Sequence, residues 1–282
     1  MDDLPLFGDS DPDLRAGARM LAFDVDDTLT WRGQLPEAAA RALYAAEAAG
    51  LTLIAVTGRS YSWAEMLLRL FPLTAAVAET GAVALVRRGG ALEVLHHEPD
   101  AAVRADNAAR RDRAAARALA EVHGARLAID NPGRLYDVAF DLVESGPPVS
   151  DVDAGRIRAV LEREGLVTAQ SSVHVNAWCL GPHGPFDKAS MFERVLEQTT
   201  GAGLQRHAEH VCYLGDSTND GAMFARARLS VGVANVEPHL ATLAAAGQAP
   251  RYLVAGQGGH GFAEAVAALL EARSRSRTRP RS

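Results

Sequence analysis

The sequence has few aromatic residues, two cysteines and no apolar segment long enough to cross a membrane. Aromatic side chains account for only 6% of the 282 residues, but apolar side chains account for 48%. This balance is typical of a globular protein and excludes a disordered or fibrous chain. A membrane-spanning helix needs about 20 consecutive apolar residues, so we expect no membrane association. Cys179 and Cys212 have no CxxC partner and cannot form a disulfide framework, so we interpret them as reduced core residues.

An excess of basic charge is also absent. The chain carries 29 basic and 35 acidic residues, which gives a net charge of −6. Proteins that bind nucleic acids rely on a basic surface, so we expect no nucleic-acid partner. The acidic start of the chain, with Asp2 and Asp3, lacks the basic region of a signal peptide, which predicts a cytoplasmic protein.

Both ends of the chain are predicted to be disordered. Residues 273–281 contain five arginines that alternate with Ser, Thr and Pro, a composition that cannot bury apolar surface. We therefore interpret residues 1–17 and 274–282 as solvated tails. Binding of RNA by the arginine-rich segment is the alternative.

Short apolar segments alternate with helix-forming segments over much of the chain. The segments 20–25, 51–57 and 74–80 have the composition of buried strands and are separated by helical stretches, which is the βαβαβ pattern of a doubly wound parallel sheet. The same alternation resumes near Phe186. We therefore predict an α/β protein with a Rossmann-like core formed by residues 18–82 and 184–273.

The alternation is interrupted between residues 83 and 183. Two apolar segments joined by a glycine-containing turn follow Gly81, and this pattern predicts a β-hairpin. Helices over about 101–122 and 151–164, and strands near 135–143 and 167–180, complete the segment. We expect the hairpin to lie outside the parallel sheet, in an inserted α+β module that spans residues 83–183.

Polar residues follow several of the predicted core strands, where ligands of parallel α/β sheets gather. Four carboxylates that meet at this edge repel each other and require a cation or a basic side chain. Mg²⁺ prefers oxygen ligands, and no Cys/His cluster points to zinc. The residues at these strand ends, together with the lysine at which the core resumes, are Asp24, Asp26, Thr57, Gly58, Arg59, Lys188, Asp216 and Asp220.

The order of these residues resembles the four motifs of the haloacid dehalogenase superfamily of Mg²⁺-dependent phosphotransferases. The first motif, DxDxT, is present at 24–28, and the fourth, GDxxND, at 215–220. Thr57 and Lys188 stand for the second and third motifs. The insertion is similar to the α/β cap of subclass IIB, which contains sucrose-phosphate and mannosylphosphoglycerate phosphatases. The third motif reads DKAS rather than KG and follows GPHGP, which leaves the subgroup and the substrate open.

The resemblance implies a role for each matched residue. Asp24 is the expected nucleophile, which forms an aspartyl-phosphate, and Asp26 is the expected acid and base. Thr57, Gly58 and Lys188 are expected at the phosphoryl group. The residues expected at the Mg²⁺ site are the carboxylates of Asp24 and Asp216, the carbonyl of Asp26, and Asp220, which orients a metal-bound water or Lys188.

Four further residues are candidates for binding the phosphate or the rest of the substrate. Arg59 faces the phosphate or solvates a helix start, and Asn235 contacts the phosphate or Lys188 or is a turn residue. His174 and Asn176 alternate with apolar residues, so one face of their strand is polar. We hypothesise that this face contacts sugar hydroxyls, with Trp178 as a stacking platform. The alternative is a solvated face with Trp178 packed between the modules.

The predicted function is Mg²⁺-dependent hydrolysis of a small phosphate monoester, a sugar phosphate, through the aspartyl-phosphate. A phosphomutase of the same superfamily and a non-catalytic sugar-phosphate-binding protein are the alternatives. The expected partner is thus a small-molecule phosphate ester, and the expected cofactor is Mg²⁺.

Overall fold

The structure is a computed structural model that describes residues 4–171 and 173–278. Its strands are β1 (Met20–Phe23), β2 (Thr52–Val56), β3 (Ala75–Ala78), β4 (Val83–Arg88), β5 (Ala91–His96), β6 (Asp137–Asp141), β7 (Val167–Gln170), β8 (His174–Trp178), β9 (Val211–Gly215), β10 (Leu229–Gly232) and β11 (Tyr252–Leu253). Its helices are α1 (Pro12–Ala16), α2 (Glu37–Ala48), α3 (Tyr61–Leu70), α4 (Ala101–Glu121), α5 (Asp151–Arg163), α6 (Lys188–Thr200), α7 (Leu204–His207), α8 (Gly221–Arg226), α9 (Leu240–Ala245) and α10 (Gly258–Thr278).

The larger sheet has the strand order β11-β10-β9-β1-β2-β3-β4-β5. Strands β11 to β3 are parallel to their neighbours. The side chains of β1 alternate between two buried clusters, with Leu21 and Phe23 on one face and Met20 and Ala22 on the other. Because helices cover both faces of a parallel sheet, every position of such a strand is buried, and its residues are apolar throughout. The predicted α/β fold with a parallel core sheet is confirmed.

The hairpin β4–β5 belongs to this sheet. Strand β4 pairs antiparallel with β3, with Ala75 opposite Val86. The expectation that the hairpin lies outside the parallel sheet is therefore wrong. The physical reason is that β4 buries Val83 and Leu85 on one face and Ala84 and Val86 on the other, so it is covered on both sides like the central strands.

The rest of the insertion forms a second, smaller sheet with the order β6-β8-β7, in which both pairs are antiparallel. Helices α4 and α5 cover one face of it and share a separate apolar core with it, which includes Ala118, Phe140, Ile157 and Val175. We call these elements, residues 101–178, the cap. We propose that the chain leaves the core after β5 and returns to it at α6.

The predicted tails are ordered in the described part of the chain. Phe7 is buried in the core, and the carbonyl of Pro5 accepts a hydrogen bond from the Leu253 amide at 3.1 Å. Helix α10 continues to Thr278, and the Arg273 guanidinium donates to the carbonyl of Ala49 at 3.0 Å. The prediction of disorder is wrong for residues 4–17 and 274–278, because each segment packs against or extends a core element. Residues 1–3 and 279–282 lie outside the described residues.

Cys179 and Cys212 are buried and unpaired, as predicted. Within residues 4–171 and 173–278, no helix combines the length and the apolar character needed to cross a membrane.

Candidate active site

The carboxylates of three aspartates meet at the edge of the core sheet where the parallel strands end. Asp24 follows β1 and Asp216 follows the adjacent strand β9. Asp220 lies in the turn that leads from β9 into α8. One carboxylate oxygen from each of these residues lies within 4.8 Å of the others, and all three side chains are buried. The structure thus brings together residues that lie nearly 200 positions apart, as the strand-end argument expects.

Lys188 lies between two of these carboxylates. It is the first residue of α6, whose start is capped by Asp187 through a hydrogen bond from the Ser190 amide at 2.6 Å. Its ammonium nitrogen lies 2.7 Å from Asp24 Oδ1 and 2.7 Å from Asp220 Oδ1. Burial opposes the charge of the ammonium, but the carboxylates of Asp220 and Asp24 outweigh burial and raise the pKa of Lys188. The lysine therefore stays charged beside the predicted nucleophile.

Asp220 uses both carboxylate oxygens within the protein. Oδ1 accepts hydrogen bonds from Lys188 and from the Tyr213 hydroxyl, and Oδ2 accepts from the backbone amides of Asp216 and Ser217 at 2.9 and 3.1 Å. This bonding favours the part of the prediction in which Asp220 orients Lys188. Asp24 accepts a bond from Lys188 at 2.7 Å and Asp216 accepts two long bonds at 3.2 and 3.3 Å, so these two carboxylates have more capacity left for a cation than Asp220.

Asn235 holds Asp216 against the first motif. Its amide nitrogen donates to Asp216 Oδ2 at 3.2 Å and to the carbonyl of Asp27 at 2.9 Å, and its oxygen accepts from the Gly258 amide at 2.9 Å. Thr28 donates to the other oxygen of Asp216 at 3.3 Å. The side chain of Asn235 thus ties two motifs together, which differs from the predicted contacts with phosphate or Lys188.

The acidic cluster carries more negative charge than Lys188 can neutralise. Burial, together with Asp220 and Asp26, raises the pKa of Asp24 to about 7 against the opposing effect of Lys188. Burial and the neighbouring carboxylates of Asp220 and Asp24 also raise the pKa of Asp216 well above its ordinary value. A cation bound between Asp24 and Asp216 would relieve this repulsion. The donors are oxygens, which suits a hard divalent ion such as Mg²⁺.

Arg59 pairs with Asp26 rather than facing the phosphate or the solvent, the two positions predicted for it. Its Nε and Nη2 donate to the two carboxylate oxygens of Asp26 at 2.8 and 2.7 Å. Nη2 also donates to Glu144 of the cap at 2.7 Å. The guanidinium is therefore committed to two carboxylates, and the predicted phosphate contact of Arg59 does not fit its position.

The second motif reaches the cleft above these residues through Gly58. Thr57 is buried, and its hydroxyl oxygen accepts a hydrogen bond from the Arg59 amide at 3.0 Å. Gly58 borders the cleft, and its carbonyl accepts from Arg134 of the cap at 3.1 Å. Arg134 in turn pairs with Asp137 at 2.9 Å. The loop at 57–59 is thereby held from both the core and the cap.

The cap forms the opposite wall of a cleft of about 410 Å³ that also contains Asp24, Asp26 and Lys188. His174 and Asn176 line it from β8, but each is also bonded within the cap. His174 Nε2 lies 2.9 Å from Glu144 Oε2, and the Asn176 amide donates to Asp137 at 2.7 Å. These side chains border the cleft as a positioned polar wall, which is compatible with hydroxyl recognition.

Trp178 does not reach this cleft. It is buried against Phe186 and Ala82, with its ring centroid 5.4 Å from that of Phe186. The hypothesis of a stacking platform is therefore wrong, and the alternative, packing between the modules, describes its position. The large ring fills the apolar junction where the chain returns from the cap to the core.

Sequence reasoning missed Glu144 and Arg134. Glu144 lies three residues after the end of β6, in the segment DLVESGPP. The signal for Glu144 is its place just after a strand of the cap sheet. It is the same signal that distinguishes the aspartates of the core sheet. Arg134 carries no comparable signal. Its pairs with Asp130 and Asp137 are local, and only its contact with the Gly58 carbonyl, which depends on the docked cap, links it to the site.

A Rossmann-like core with buried aspartates and a lysine at one sheet edge, covered by an inserted cap, is the arrangement that the four sequence motifs predict. The family model described as haloacid dehalogenase-like hydrolase matches residues 21–100. This match confirms the resemblance predicted from the motifs. No curated protein matches the chain.

Solved structures share the fold over nearly the whole chain. The C-terminal domain of trehalose-6-phosphate phosphatase from C. albicans is 12% identical, with a TM-score of 0.67, and the match covers 95% of this chain and 99% of that one. The sucrose-phosphatase of Synechocystis is 17% identical, with a TM-score of 0.57 and coverage of 89% and 98%. A subclass IIB sugar phosphatase is 14% identical, with a TM-score of 0.58 and coverage of 89% and 98%. At these identities the likeness shows the fold.

Proposed function

We propose that the protein hydrolyses a small phosphate monoester, a sugar phosphate, in a reaction that requires Mg²⁺. The observation that carries the proposal is the Lys188 ammonium held 2.7 Å from Asp24 at the base of a polar cleft. Phosphoryl transfer needs in-line positioning and concentrated positive charge more than elaborate covalent chemistry. A nucleophilic carboxylate beside a buried cation supplies both.

Asp24 attacks phosphorus and forms the aspartyl-phosphate, and the sugar oxygen leaves. Lys188 keeps the carboxylate in place and neutralises the phosphoryl oxygens as charge builds on them. Thr57, whose hydroxyl lies in the adjacent loop, can donate its proton to one of these oxygens. The carboxylates of Asp24 and Asp216 and the carbonyl of Asp26 would hold Mg²⁺, which would supply further positive charge at the phosphoryl group.

Asp26 supplies the proton that the leaving oxygen needs. In the second step it takes a proton from the water that attacks the aspartyl-phosphate, so that Asp24 and Asp26 return to their starting states and inorganic phosphate is released. Arg59 fixes the carboxylate of Asp26 beside the cleft by donating to both of its oxygens. One of these two bonds opens when Asp26 takes up the proton that it passes to the leaving oxygen.

The lining of the cap supports a sugar phosphate as the substrate class. Polar side chains of Gln170, Ser171, His174 and Asn176 border the cleft opposite the aspartates. Such groups suit the hydroxyls of a sugar, and two of the solved structures with this fold are named as phosphatases of sugar phosphates. The core motifs are assigned to the phosphate, which every substrate shares, so we expect this wall to contribute to discrimination among sugars.

The test is release of inorganic phosphate by the purified protein from a panel of sugar phosphates, with Mg²⁺ and with a chelator. We expect turnover with Mg²⁺ that is lost with chelator and in Asp24→Asn. Release without a bisphosphate activator distinguishes hydrolysis from a phosphomutase. Binding of sugar phosphates without turnover by the wild type, across the whole panel, would contradict the proposal and favour the non-catalytic alternative.

A further inference from the structure

Four side chains form a continuous chain of hydrogen bonds from the core to the cap. Asp26 accepts two bonds from Arg59, at 2.7 and 2.8 Å, and Glu144 accepts from the same guanidinium at 2.7 and 3.3 Å. Glu144 Oε2, which accepts from Arg59 Nη1 at 3.3 Å, also lies 2.9 Å from His174 Nε2. Nη2 of Arg59 is shared, because it donates to both Asp26 and Glu144. The acid of the proposed reaction is thus connected to the cap through one arginine.

The cap presents Glu144 on a turn of defined shape. Asp141, the last residue of β6, is buried and accepts hydrogen bonds from the amides of Val143, Glu144 and Ser145 at 2.7–2.8 Å. Asp141 is also the cross-strand partner of His174. The same cap residue therefore folds the turn that carries Glu144 and lies opposite the histidine that bonds to it.

Arg59 has little freedom apart from these two carboxylates. Its side chain is 6% exposed and lies over the ring of Trp63, 4.8 Å from the centroid. Its backbone is fixed by the hydrogen bond to Thr57 and by the Glu79 amide, which donates to its carbonyl at 2.9 Å. The orientation of the guanidinium then depends on its hydrogen bonds to both Asp26 and Glu144. The orientation of the Asp26 carboxylate depends on the guanidinium in turn.

Glu144 lies behind Asp26 with respect to the cleft that holds Lys188. Asp26 borders that cleft and also a second cavity of about 460 Å³. Arg59 and Glu144 border the second cavity but not the cleft. Glu144 can therefore act on the reaction through Asp26 without touching the transferring phosphoryl group. It is a partly exposed member of an ion pair, with 36% of its side chain accessible, so its contribution to folding is small.

We propose that Glu144 is a positioning residue that, through Arg59, sets the Asp26 carboxylate at the leaving oxygen when the cap is docked. The inference rests on the proposed function, in which Asp26 is the acid, and extends it to a residue of the cap. Proton donation to the leaving group then depends on the presence of the cap, and the cap contributes to the chemical step as well as to substrate binding.

The test compares two leaving groups in Glu144→Gln. An alkyl phosphate, such as a sugar phosphate, needs a proton on its leaving oxygen, whereas a nitrophenyl phosphate leaves as a stable anion and does not. Because Asp26 also serves the hydrolysis of the aspartyl-phosphate, which both substrates share, the comparison uses the single-turnover rate of phosphoryl transfer to Asp24. We expect this rate to fall about tenfold for the alkyl phosphate and to change less than about twofold for the nitrophenyl phosphate. The substrate concentration that gives half of the maximal single-turnover rate should stay within about twofold of the wild type.

Two further variants separate positioning from general effects of the substitution. Glu164→Gln removes another cap carboxylate that pairs with an arginine, Arg117, on the surface, and it should leave both rates unchanged. Glu144→Asp keeps the charge but shortens the side chain. It should also slow the alkyl phosphate more than the nitrophenyl phosphate, but by a smaller factor than Glu144→Gln. Thermal unfolding of each variant checks that the fold is retained.

Equal losses of the single-turnover transfer rate for the two substrates in Glu144→Gln, or a change in substrate affinity alone, would overturn the inference while leaving the proposed function intact. Absence of Mg²⁺-dependent turnover of both substrates by the wild type would reject the proposed function, and the inference with it. A selective loss for the alkyl phosphate that Glu144→Asp partly restores supports the role given to Glu144.

Discussion

Lys188 is the residue that makes the acidic cluster compatible with folding. It is the only lysine in the sequence, so arginine supplies every other basic side chain. An ammonium is a compact charge with three donors that can point in separate directions, whereas a guanidinium is planar and larger. Between two buried carboxylates from different strands, the compact group fits the geometry, with both contacts at 2.7 Å.

Replacement of this residue by Lys188→Met should therefore damage both stability and activity. Two buried carboxylates lose their cation, and breaking a buried ion pair in this way costs about 3 to 5 kcal/mol in the free energy of unfolding. Denaturant unfolding measures the loss, and phosphate release should fall at least about 10²-fold. Arg41→Met, which breaks a pair on the surface with a side chain 80% exposed, should cost less than about 1 kcal/mol.

Of the four acids predicted to meet, Asp24, Asp216 and Asp220 form the cluster, whereas Asp26 pairs with Arg59. Strand ends of a parallel sheet must lie at one edge, so the convergence of Asp24 with Asp216 follows from topology. The pairing of Arg59 with Asp26 and Glu144 depends on the docked cap, which no local pattern around residue 59 encodes.

At the scale of elements, the start of α6 is placed by a close contact with the turn after β3. Glu79, Thr80 and Gly81 all have positive φ, and Gly81 at +108° approaches the backbone of Asp187 so closely that a Cβ there would lie 2.1 Å from its carbonyl oxygen. The turn and the residue before Lys188 therefore fit together only with glycine at position 81.

Gly81→Ala should accordingly destabilise the protein through two effects, the unfavourable φ and the clash with Asp187. Gly90→Ala is a matched control, because its φ is also positive, at +86°, but a Cβ there meets nothing within 4 Å. We expect the free energy of unfolding to fall by more than about 2 kcal/mol in Gly81→Ala and by about 1 kcal/mol in Gly90→Ala. Equal losses in denaturant unfolding would show that the contact with Asp187 contributes nothing.

The elements themselves were predictable from sequence where periodicity and length agree, as in β1, β2 and β3. The position of the hairpin was not, because an apolar strand such as β4 has the same composition whether its neighbour is parallel or antiparallel. The prediction of disorder at the ends of the chain failed for a related reason. Composition alone does not show that Phe7 is buried in the core or that α10 packs against α1 and α2.

At the scale of the whole molecule, the buried carboxylate of Glu79 joins the core to the cap. It accepts hydrogen bonds from the amide of Tyr61 in the core and from those of Leu135, Tyr136 and Asp137 in the cap at 2.7–3.1 Å. Burial and the neighbouring Asp137 raise its pKa to about 7, against the opposing effect of the backbone donors and Arg134. Docking of the two modules is therefore linked to the protonation of this group.

The sign of the pH effect follows from the raised pKa. In the unfolded chain Glu79 titrates near 4.3, so between that pH and about 7 the folded state holds more protons at this site. Its contribution to stability is then full at low pH and lost as the pH rises to about 7. We expect the free energy of unfolding of the wild type, relative to Glu79→Gln, to decrease over this range and to level off above it. A difference that is independent of pH would contradict the assignment.

The central claim is that Asp24 and Asp216 are forced together by the fold and share a divalent cation. Calorimetric titration with Mg²⁺ of the wild type, of Asp216→Asn and of the control Asp153→Asn, a partly exposed aspartate of the cap, tests it most directly. The account predicts saturable binding to the wild type and to Asp153→Asn, and loss of binding in Asp216→Asn. Binding to Asp216→Asn with unchanged affinity, or no binding to the wild type, would contradict it.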